Sequence, residues 1–227
     1  MDTSVHATLH TSQPADYFAQ SRPEVLPFVP QTARRILDVG CAEGRFGEAL
    51  KRMVPGREVW GVEINPAAAQ AARARLDKVI CADATTLAPQ DVPAGTFDAI
   101  TFTDSLEHMA DPAVVLKALA PALAPGGVFV ISVPNVRYLY NLWHVVVEKD
   151  WRYEPAGILD RTHLRFFTEK SLRRFLSEEL GFELLKLEGI NRLLSWKFDV
   201  LNALSLGYFR DTRCTQFVAV ASVLSHR

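Results

Sequence analysis

Three acidic residues and one histidine stand where they could do chemistry. Glu63, Asp83 and Asp104 each follow an apolar run, and His108 comes shortly after the last of them. A carboxylate can accept hydrogen bonds from ribose hydroxyls or from the amino group of a base, and a histidine can take up a proton near neutral pH. These residues therefore indicate a nucleotide-type ligand beside a site of proton transfer. For each residue taken alone, a helix cap or a brace within a loop is an alternative.

A glycine-rich turn precedes the first of these acids. The stretch DVGCAEG begins at Asp38, and Gly40 and Gly44 within it permit a tight turn and a close approach of the backbone to a ligand. Apolar residues then recur at helical spacing, so the turn feeds a helix whose first N–H groups face the bound molecule. The turn lacks the Gly-x-Gly-x-x-Gly spacing of dinucleotide dehydrogenases, which leaves hydride transfer as an alternative hypothesis.

The whole chain alternates between predicted strands and helices. This order predicts an α/β fold, because strands separated by helical stretches imply right-handed crossovers and a mostly parallel sheet. Ligands of such sheets bind at the carboxyl ends of the strands, where the acids lie. The predicted strands cover residues 36–39, 59–63, 79–82, 97–103, 128–133, 182–187 and 216–223, and the predicted helices cover 66–76, 112–123 and 171–180.

The composition limits the classes of function. The 227 residues are 48% hydrophobic, which suffices for one large core, so we predict a single domain over residues 1–227. The 25 basic and 26 acidic residues nearly balance, and no apolar run reaches the roughly 20 residues of a membrane span. We therefore expect no nucleic-acid binding and no membrane span. We also expect a cytoplasmic protein, since the first residues do not resemble a secretory signal.

Five motifs in succession resemble those of class I S-adenosylmethionine-dependent methyltransferases. They are DVGCAEG, VEIN, CADA, FDAITFTDSLEHM and LAPGGVFVISVPN, and the resemblance extends over roughly residues 36–222. It implies a Rossmann-like, mostly parallel sheet of about seven strands with an antiparallel last strand and helices on both faces. It also implies S-adenosylmethionine as cofactor and S-adenosylhomocysteine as product.

The resemblance assigns residues to parts of the cofactor. It places Glu63 at the ribose, and Asp83 with Ala84 at the adenine. Ala42 stands where the family usually has its middle glycine, which is tolerable if this residue does not need a positive φ. The residues expected at the methionine part are Gly40, Cys41 and Gly44, and the cofactor set is completed by Asp38, Ile64 and Thr103.

The chemistry is expected after the fourth predicted strand. Methyl transfer from a sulfonium needs an aligned acceptor lone pair, exclusion of water and, for a hydroxyl, removal of a proton. We predict His108 as the general base and Asp104 as a residue that lines the transfer site. The sequence from Asp104 to His108 also resembles the acidic-x-x-Glu-His motif that binds a divalent ion in some quinone-biosynthesis methyltransferases. A metal held by Asp104, Glu107 and His108 is therefore an alternative, although the main prediction includes no metal.

Residues 134–167 form an insertion that we interpret as a lid over the acceptor pocket. Its polar side chains would bind the acceptor, and its aromatic side chains would form apolar walls. The alternative is that Trp143, Phe166 and Phe167 pack the lid onto the sheet and that Asp160 pairs with Arg161. The expected acceptor-binding residues are Asn135, Arg137, Tyr138, Arg161, His163 and Arg165.

Two further segments complete the organisation. The motif GILDRTHLRFFT and the lead-in over residues 1–30 resemble a bacterial branch often associated with surface-glycan synthesis, in which Tyr17 and Arg22 of the lead-in would lie near the cofactor. Residues 192–212 form an apolar insertion that we expect to pack on the core or to cover the acceptor site, with a dimer contact as the alternative. Its apolar face is predicted to contain Leu194, Phe198, Leu201, Leu204 and Leu206.

The sequence thus predicts a methyltransferase that methylates an oxygen of a small molecule, with a sugar or a nucleotide-linked glycan precursor as the favoured acceptor. The protein would be a monomer or a homodimer. Two other hypotheses are kept, namely a metal-dependent O-methyltransferase acting on a quinone-type phenol, and a scaffold that binds the cofactor without turnover.

Overall fold

A seven-stranded sheet organises the protein, and the computed structural model describes residues 21–88 and 90–224. The strands follow the order β3-β2-β1-β4-β5-β7-β6. Strands β1 to β5 pair in parallel, whereas β7 is antiparallel to both β5 and β6. The predicted Rossmann-like sheet with an antiparallel last strand is confirmed. The strands are β1 Arg35–Val39, β2 Glu58–Glu63, β3 Lys78–Cys81, β4 Phe97–Thr103, β5 Leu123–Pro134, β6 Phe182–Arg192 and β7 Cys214–Val223.

Within the described residues, six α-helices join these strands, and polar caps fix where several of them begin. The side chain of Asn65 accepts hydrogen bonds from two N–H groups of the first turn of α2, and Asp111 does the same for α3. Thr168 and Ser171 form a capping box at the start of α5. The helices are α1 Arg45–Met53, α2 Pro66–Ala72, α3 Pro112–Leu119, α4 Leu139–Trp143, α5 Glu169–Arg174 and α6 Trp196–Leu204.

Several predicted boundaries are corrected by the structure. Helix α2 ends at Ala72 instead of residue 76, because the last turn tightens into bonds between residues three apart. Helix α3 ends at Leu119, just before Pro121, and residue 123 belongs to β5. Helix α5 starts at Glu169 and passes into a π-helical turn after Arg174. Strand β6 continues five residues beyond its predicted end at residue 187, to Arg192.

Apolar side chains form one cluster on each face of the sheet. Ile36 and Leu37 lie in different clusters, because successive strand residues point to opposite faces. Helices α3 and α5 contribute to one cluster, and α1 and α2 contribute to the other. Helices therefore cover both faces, and the polar residues that follow β1, β2 and β4 meet at one edge of the sheet. Among the described residues, no helix is long and apolar enough to cross a membrane.

The insertion over residues 192–212 differs from its prediction. Of its five predicted packing residues, only Phe198 is buried. The apolar residues of α6 are spread around the helix and do not form one stripe, so only one side of the helix can pack. The expected core packing is therefore wrong for the other four residues, whose exposed fractions are 88% for Leu194, 42% for Leu201, 81% for Leu204 and 97% for Leu206.

Candidate functional site

The turn between β1 and α1 is held close to two neighbouring strands. The N–H groups of Gly40 and Cys41 both donate to the carbonyl of Val62, over 2.8 and 3.0 Å. Gly40 has a φ of +77°, and a Cβ added there would lie 2.5 Å from the Cβ of Ser105. The position therefore requires glycine both for its backbone conformation and for its close approach to the segment that carries His108. Gly44 has the same positive φ where α1 begins.

Ala42 has a φ of +48°, so this position does need the left-handed conformation that glycine adopts easily. Its N–H donates to Glu63 Oε2 over 2.9 Å, and the other oxygen of Glu63 accepts from the N–H of Asn65 over 2.7 Å. Glu63 therefore clamps the turn to the end of β2. Burial raises the pKa of Glu63, and hydrogen bonds from backbone N–H groups, including that of Ile64, act in the opposite direction.

Asp38 lies beneath this turn and is fully buried. Its Oδ1 accepts a hydrogen bond from the hydroxyl of Thr101 over 2.7 Å. Its Oδ2 is buried and has no hydrogen-bond partner in the described part of the chain. The pKa of Asp38 is raised to about 7, and burial is the largest cause of this shift. An acceptor oxygen in this position fits a ligand that brings an N–H donor or a positive charge.

The remaining predicted cofactor residues have different environments. Asp83 Oδ1 accepts from the N–H of Thr85 over 2.8 Å, so one of its oxygens caps the short turn that includes Ala84. The side chain of Cys41 lies in the core against Gly61, where an added Cβ would lie 2.5 Å from its sulfur. Only the backbone of Cys41 can therefore face a ligand. Thr103 ends β4 beside Ser132 of β5.

Asp104 joins three distant segments. Its Oδ1 accepts from the hydroxyl of Ser132 over 2.9 Å, and its Oδ2 accepts from Gln216 Nε2 over 2.6 Å. Arg22 of the lead-in forms an ion pair with the same Oδ2 over 2.6 Å. Asp104 is thus occupied by protein contacts at the edge of the site. Tyr17, the other lead-in residue predicted near the cofactor, lies outside the described residues.

The turn that carries His108 is bonded to the insertion over residues 134–167. The carbonyl of Glu107 accepts from the N–H groups of Leu164 and Arg165, over 2.8 and 3.0 Å. His108 Nδ1 lies 3.0 Å from the hydroxyl of Thr162 and 3.3 Å from its carbonyl oxygen. Thr162 was not among the predicted site residues, although it stands beside His163 in the DRTH stretch.

Glu107 is almost fully buried, and neither of its carboxyl oxygens has a hydrogen-bond partner among the described residues. Burial, reinforced by the nearby charge of Asp104, raises the pKa of Glu107 well above its ordinary value. His163 Nε2 lies 3.9 Å from Glu107 Oε1, and burial lowers the pKa of His163. Potential ligand atoms of Glu107, His108 and His163 lie within 4.8 Å of one another. The metal-binding alternative from the sequence had Asp104 as the third member of this set. In the structure the third member is His163, and Asp104 is bonded to Ser132, Gln216 and Arg22.

Three of the predicted acceptor-binding residues anchor the insertion. Asn135 is fully buried, and its Nδ2 donates to the carbonyls of Asp211 and Cys214, over 2.8 Å in each case. Arg137 pairs with the carboxylate of Asp211 over 2.6 Å. Arg165 donates to the carbonyl of Ala110. These contacts tie residues 134–167 to the rest of the fold.

Other residues of the insertion are less enclosed. Tyr138 is half-buried and Arg161 is exposed. Of the three aromatic residues that the alternative packs onto the sheet, Phe167 is buried, whereas Trp143 and Phe166 are exposed. The packing alternative therefore holds for Phe167 alone. Asp160, which that alternative pairs with Arg161, accepts hydrogen bonds from Thr162.

Comparison with known proteins gives relatives that include bacterial O-methyltransferases. A ubiquinone biosynthesis O-methyltransferase of Xanthomonas campestris pv. campestris strain B100 is 35% identical over 105 residues, which are 44% of this chain and 43% of the relative. The chain thus matches less than half the length of that relative. The enzyme of the same name from Ralstonia nicotianae is 28% identical over 190 residues, or 81% of this chain and 78% of the relative.

Among solved structures, a SAM-dependent methyltransferase from Archaeoglobus fulgidus superposes with a TM-score of 0.67 at 23% identity. The superposition covers 92% of this chain and 97% of the other, which establishes the shared fold. The family model described as a methyltransferase domain matches residues 12–187, well over half of the chain. The chain therefore belongs to the methyltransferase domain family.

Proposed function

We propose that this protein transfers a methyl group from S-adenosylmethionine to a hydroxyl group of a small-molecule acceptor. The observation that carries the proposal is the contact between Gly40 and Ser105. It brings the turn clamped by Glu63, which suits a nucleotide-type cofactor, against the segment that presents His108. A methyl donor and a proton acceptor would thereby be placed at the same edge of the sheet.

The residues around the turn fit the cofactor. Asp38 Oδ2 offers a buried acceptor to a cationic amino group, and the turn from Gly40 to Gly44 permits close approach. Glu63 and Asp83 would accept hydrogen bonds from ribose and adenine. S-adenosylmethionine supplies a methyl group on a sulfonium, whose departing thioether is neutral. The protein then has to align the acceptor, exclude water and remove a proton.

On the acceptor side, His108 would take the proton of the hydroxyl as the methyl group is transferred. The names of the bacterial relatives favour a phenolic hydroxyl of the kind found in quinone precursors. Exposed aromatic side chains of the insertion, such as Tyr140, Trp151 and Tyr153, would suit an apolar aromatic molecule. The sugar acceptor remains a prediction from the sequence, and the relatives described above give it no support.

Calorimetry and an acceptor screen test the proposal. The protein is titrated with S-adenosylmethionine, S-adenosylhomocysteine and, as a control, NAD. Transfer of a labelled methyl group is then measured to catechols with and without a prenyl chain, and to nucleotide sugars. We expect micromolar binding of the first two ligands and methylation of a catechol. Binding of NAD alone would overturn the proposal. Cofactor binding without transfer to any acceptor in the screen or in cell extracts would favour a scaffold without turnover.

A metal-dependent form of the reaction is a second candidate, favoured by the cluster of Glu107, His108 and His163. Two imidazoles and a carboxylate are ligands that several divalent metals accept. The oxygens of Glu107, which have no hydrogen-bond partner in the described part of the chain, fit such an ion. The ion would favour the charged carboxylate and could polarise the acceptor hydroxyl.

Removal of metal separates the two candidates. The protein is dialysed against a chelator and assayed before and after Mg²⁺, Mn²⁺ or Zn²⁺ is restored. If the metal-dependent form is correct, transfer is lost and returns with one ion, and His163→Ala weakens the binding of that ion. If His108 acts as a base without metal, the rate is unchanged by the chelator.

A further inference from the structure

Two oxygens of Thr162 determine which nitrogen of His108 carries the proton. The hydroxyl of Thr162 donates its single hydrogen to Asp160 Oδ1 over 2.7 Å, so it can only accept from His108 Nδ1, which lies 3.0 Å away. The carbonyl oxygen of Thr162, which is always an acceptor, lies 3.3 Å from the same nitrogen. Both contacts are favourable only when Nδ1 bears a hydrogen.

We infer that Asp160 and Thr162 hold His108 in the tautomer with the proton on Nδ1, so that the lone pair of the neutral ring lies on Nε2. This inference rests on the proposed function, because Nε2 then becomes the nitrogen that takes the proton of the acceptor hydroxyl. Asp160 and Thr162 act through His108 and are positioning residues. The carboxylate fixes the direction of the Thr162 hydroxyl, and the hydroxyl fixes the ring.

The surroundings keep this arrangement in place. Asp160 is fully buried and Thr162 nearly so, and Asp160 Oδ1 also accepts from the N–H of Thr162 over 2.8 Å. The ring of His163 packs edge-on against that of His108, with 4.7 Å between centroids. The bonds from residues 164 and 165 to the carbonyl of Glu107 attach the whole segment to the turn of His108. The ring and its partners therefore belong to one packed unit.

The tautomer can be measured directly by long-range proton–nitrogen NMR of the histidine rings, with His108→Asn used to assign the signals. We compare the unaltered protein with Thr162→Val and Thr162→Ser, and we measure kcat, KM and cofactor affinity for each. In the unaltered protein the ring should be protonated on Nδ1. Thr162→Val should populate the other tautomer and lower kcat about 10- to 100-fold, with KM and cofactor affinity within about twofold. Thr162→Ser, which keeps the hydroxyl, should show the ring protonated on Nδ1 and the kcat of the unaltered protein.

His163 provides an internal control, since its Nδ1 lies 3.1 Å from the carbonyl of Ile158 and its tautomer should not change in these variants. A ring of His108 protonated on Nε2 in the unaltered protein would overturn the inference, as would a Thr162→Val variant with unchanged tautomer and unchanged kcat. A changed tautomer with unchanged kcat has a different meaning. It would support the positioning by Thr162 and contradict the base role of His108 in the proposed function.

Discussion

The two sides of the site are built from different kinds of contact. On the cofactor side, residues 38–84, short turns are bonded to adjacent strands, and the bond from Ala42 to Glu63 spans only 21 residues of chain. On the acceptor side, residues 104–108, 134–167 and 192–216, the bond from Gln216 to Asp104 spans 112 residues. The acceptor side can therefore be altered by changes in its insertions while the cofactor side keeps its geometry. The following predictions test this separation.

The largest effect is expected for His108→Ala. Loss of the base should lower kcat about 10²- to 10⁴-fold, whereas cofactor affinity should stay within about twofold, because His108 is bonded to Thr162 on the acceptor side. Single-turnover methyl transfer and calorimetry measure the two quantities. His144→Ala changes a partly exposed histidine of the same insertion and is the control. A tenfold loss of cofactor affinity in His108→Ala would show that the two sides are not separable.

On the cofactor side, Asp38→Asn should change how stability depends on pH. The pKa of Asp38 is raised from 3.8 to about 7 in the folded protein, so between these values the unfolded chain loses its proton first. Stability from this group is therefore lost as the pH rises from about 4 to about 7, by at most about 4 kcal/mol. Urea unfolding at several pH values should show that the free energy of unfolding of the variant rises relative to that of the unaltered protein across this window. A difference that does not vary with pH would contradict the raised pKa.

The apolar insertion gives a matched pair of variants on the acceptor side. Phe198→Ala removes a buried ring and should cost about 3 kcal/mol of the free energy of unfolding. Leu204→Ala changes an exposed residue of the same helix and should cost less than about 0.5 kcal/mol. Urea unfolding of both measures the contrast. Equal costs would mean that another molecule covers α6 in solution. Sedimentation of the unaltered protein would then show whether that molecule is a second copy of the chain.

Glu63→Ala should weaken cofactor binding by about 1–3 kcal/mol, or roughly 5- to 150-fold. The substitution removes the acceptor for the N–H groups of Ala42 and Asn65 together with the expected ribose contact. Calorimetry measures the loss, and Glu183→Ala on the exposed surface of β6 is the control. Asp83→Ala should have a smaller effect, since one oxygen of Asp83 already caps a turn. Unchanged affinity in both variants would remove the cofactor assignment of these acids.

The smallest effect is expected for Ala42→Gly. Glycine would relieve the left-handed backbone, which costs alanine about 1–2 kcal/mol, and the greater freedom of the unfolded chain would take back about 0.4–1 kcal/mol. We therefore expect a gain of between about 0 and about 1.6 kcal/mol in the free energy of unfolding. Ala49→Gly, within α1, should instead lose about 1 kcal/mol. A loss at both positions would show that Ala42 is not strained.

The cofactor side could be predicted from the sequence because its signals are local. Apolar runs mark β1, β2 and β4, and the residues at their ends follow directly in the chain, as Glu63 does. Whether Ala42 needs a positive φ could not be predicted, because no residue pattern specifies that angle. The cap role of Asp83 was already one of the alternatives, because the sequence alone cannot tell an acid that binds a ligand from one that binds its own backbone.

The position of the acceptor side could be predicted from the sequence, but the roles of its individual residues could not. Asn135 and Arg137 have residue types that suit an acceptor, yet their side chains are bonded to partners more than 70 residues away in the chain. The role of Thr162 needs the direction of a hydroxyl, which depends on Asp160 being buried beside it. The exposure of Leu206 could not be foreseen, because an apolar residue carries the same sequence signal whether it packs or faces solvent.

Strand β7 lies between β5 and β6 in the sheet but is the last strand in the sequence. The sheet can therefore be completed only after β7 has been synthesised. When residue 192 has been synthesised, β5 and β6 both exist, but the strand that separates them does not. All residues of the cofactor side have by then been made, while Asp104 still lacks Gln216. A ribosome that stalls before residue 214 therefore leaves two open strand edges, which are templates for aggregation. Translation through the last strand closes the sheet and completes the acceptor side in one step.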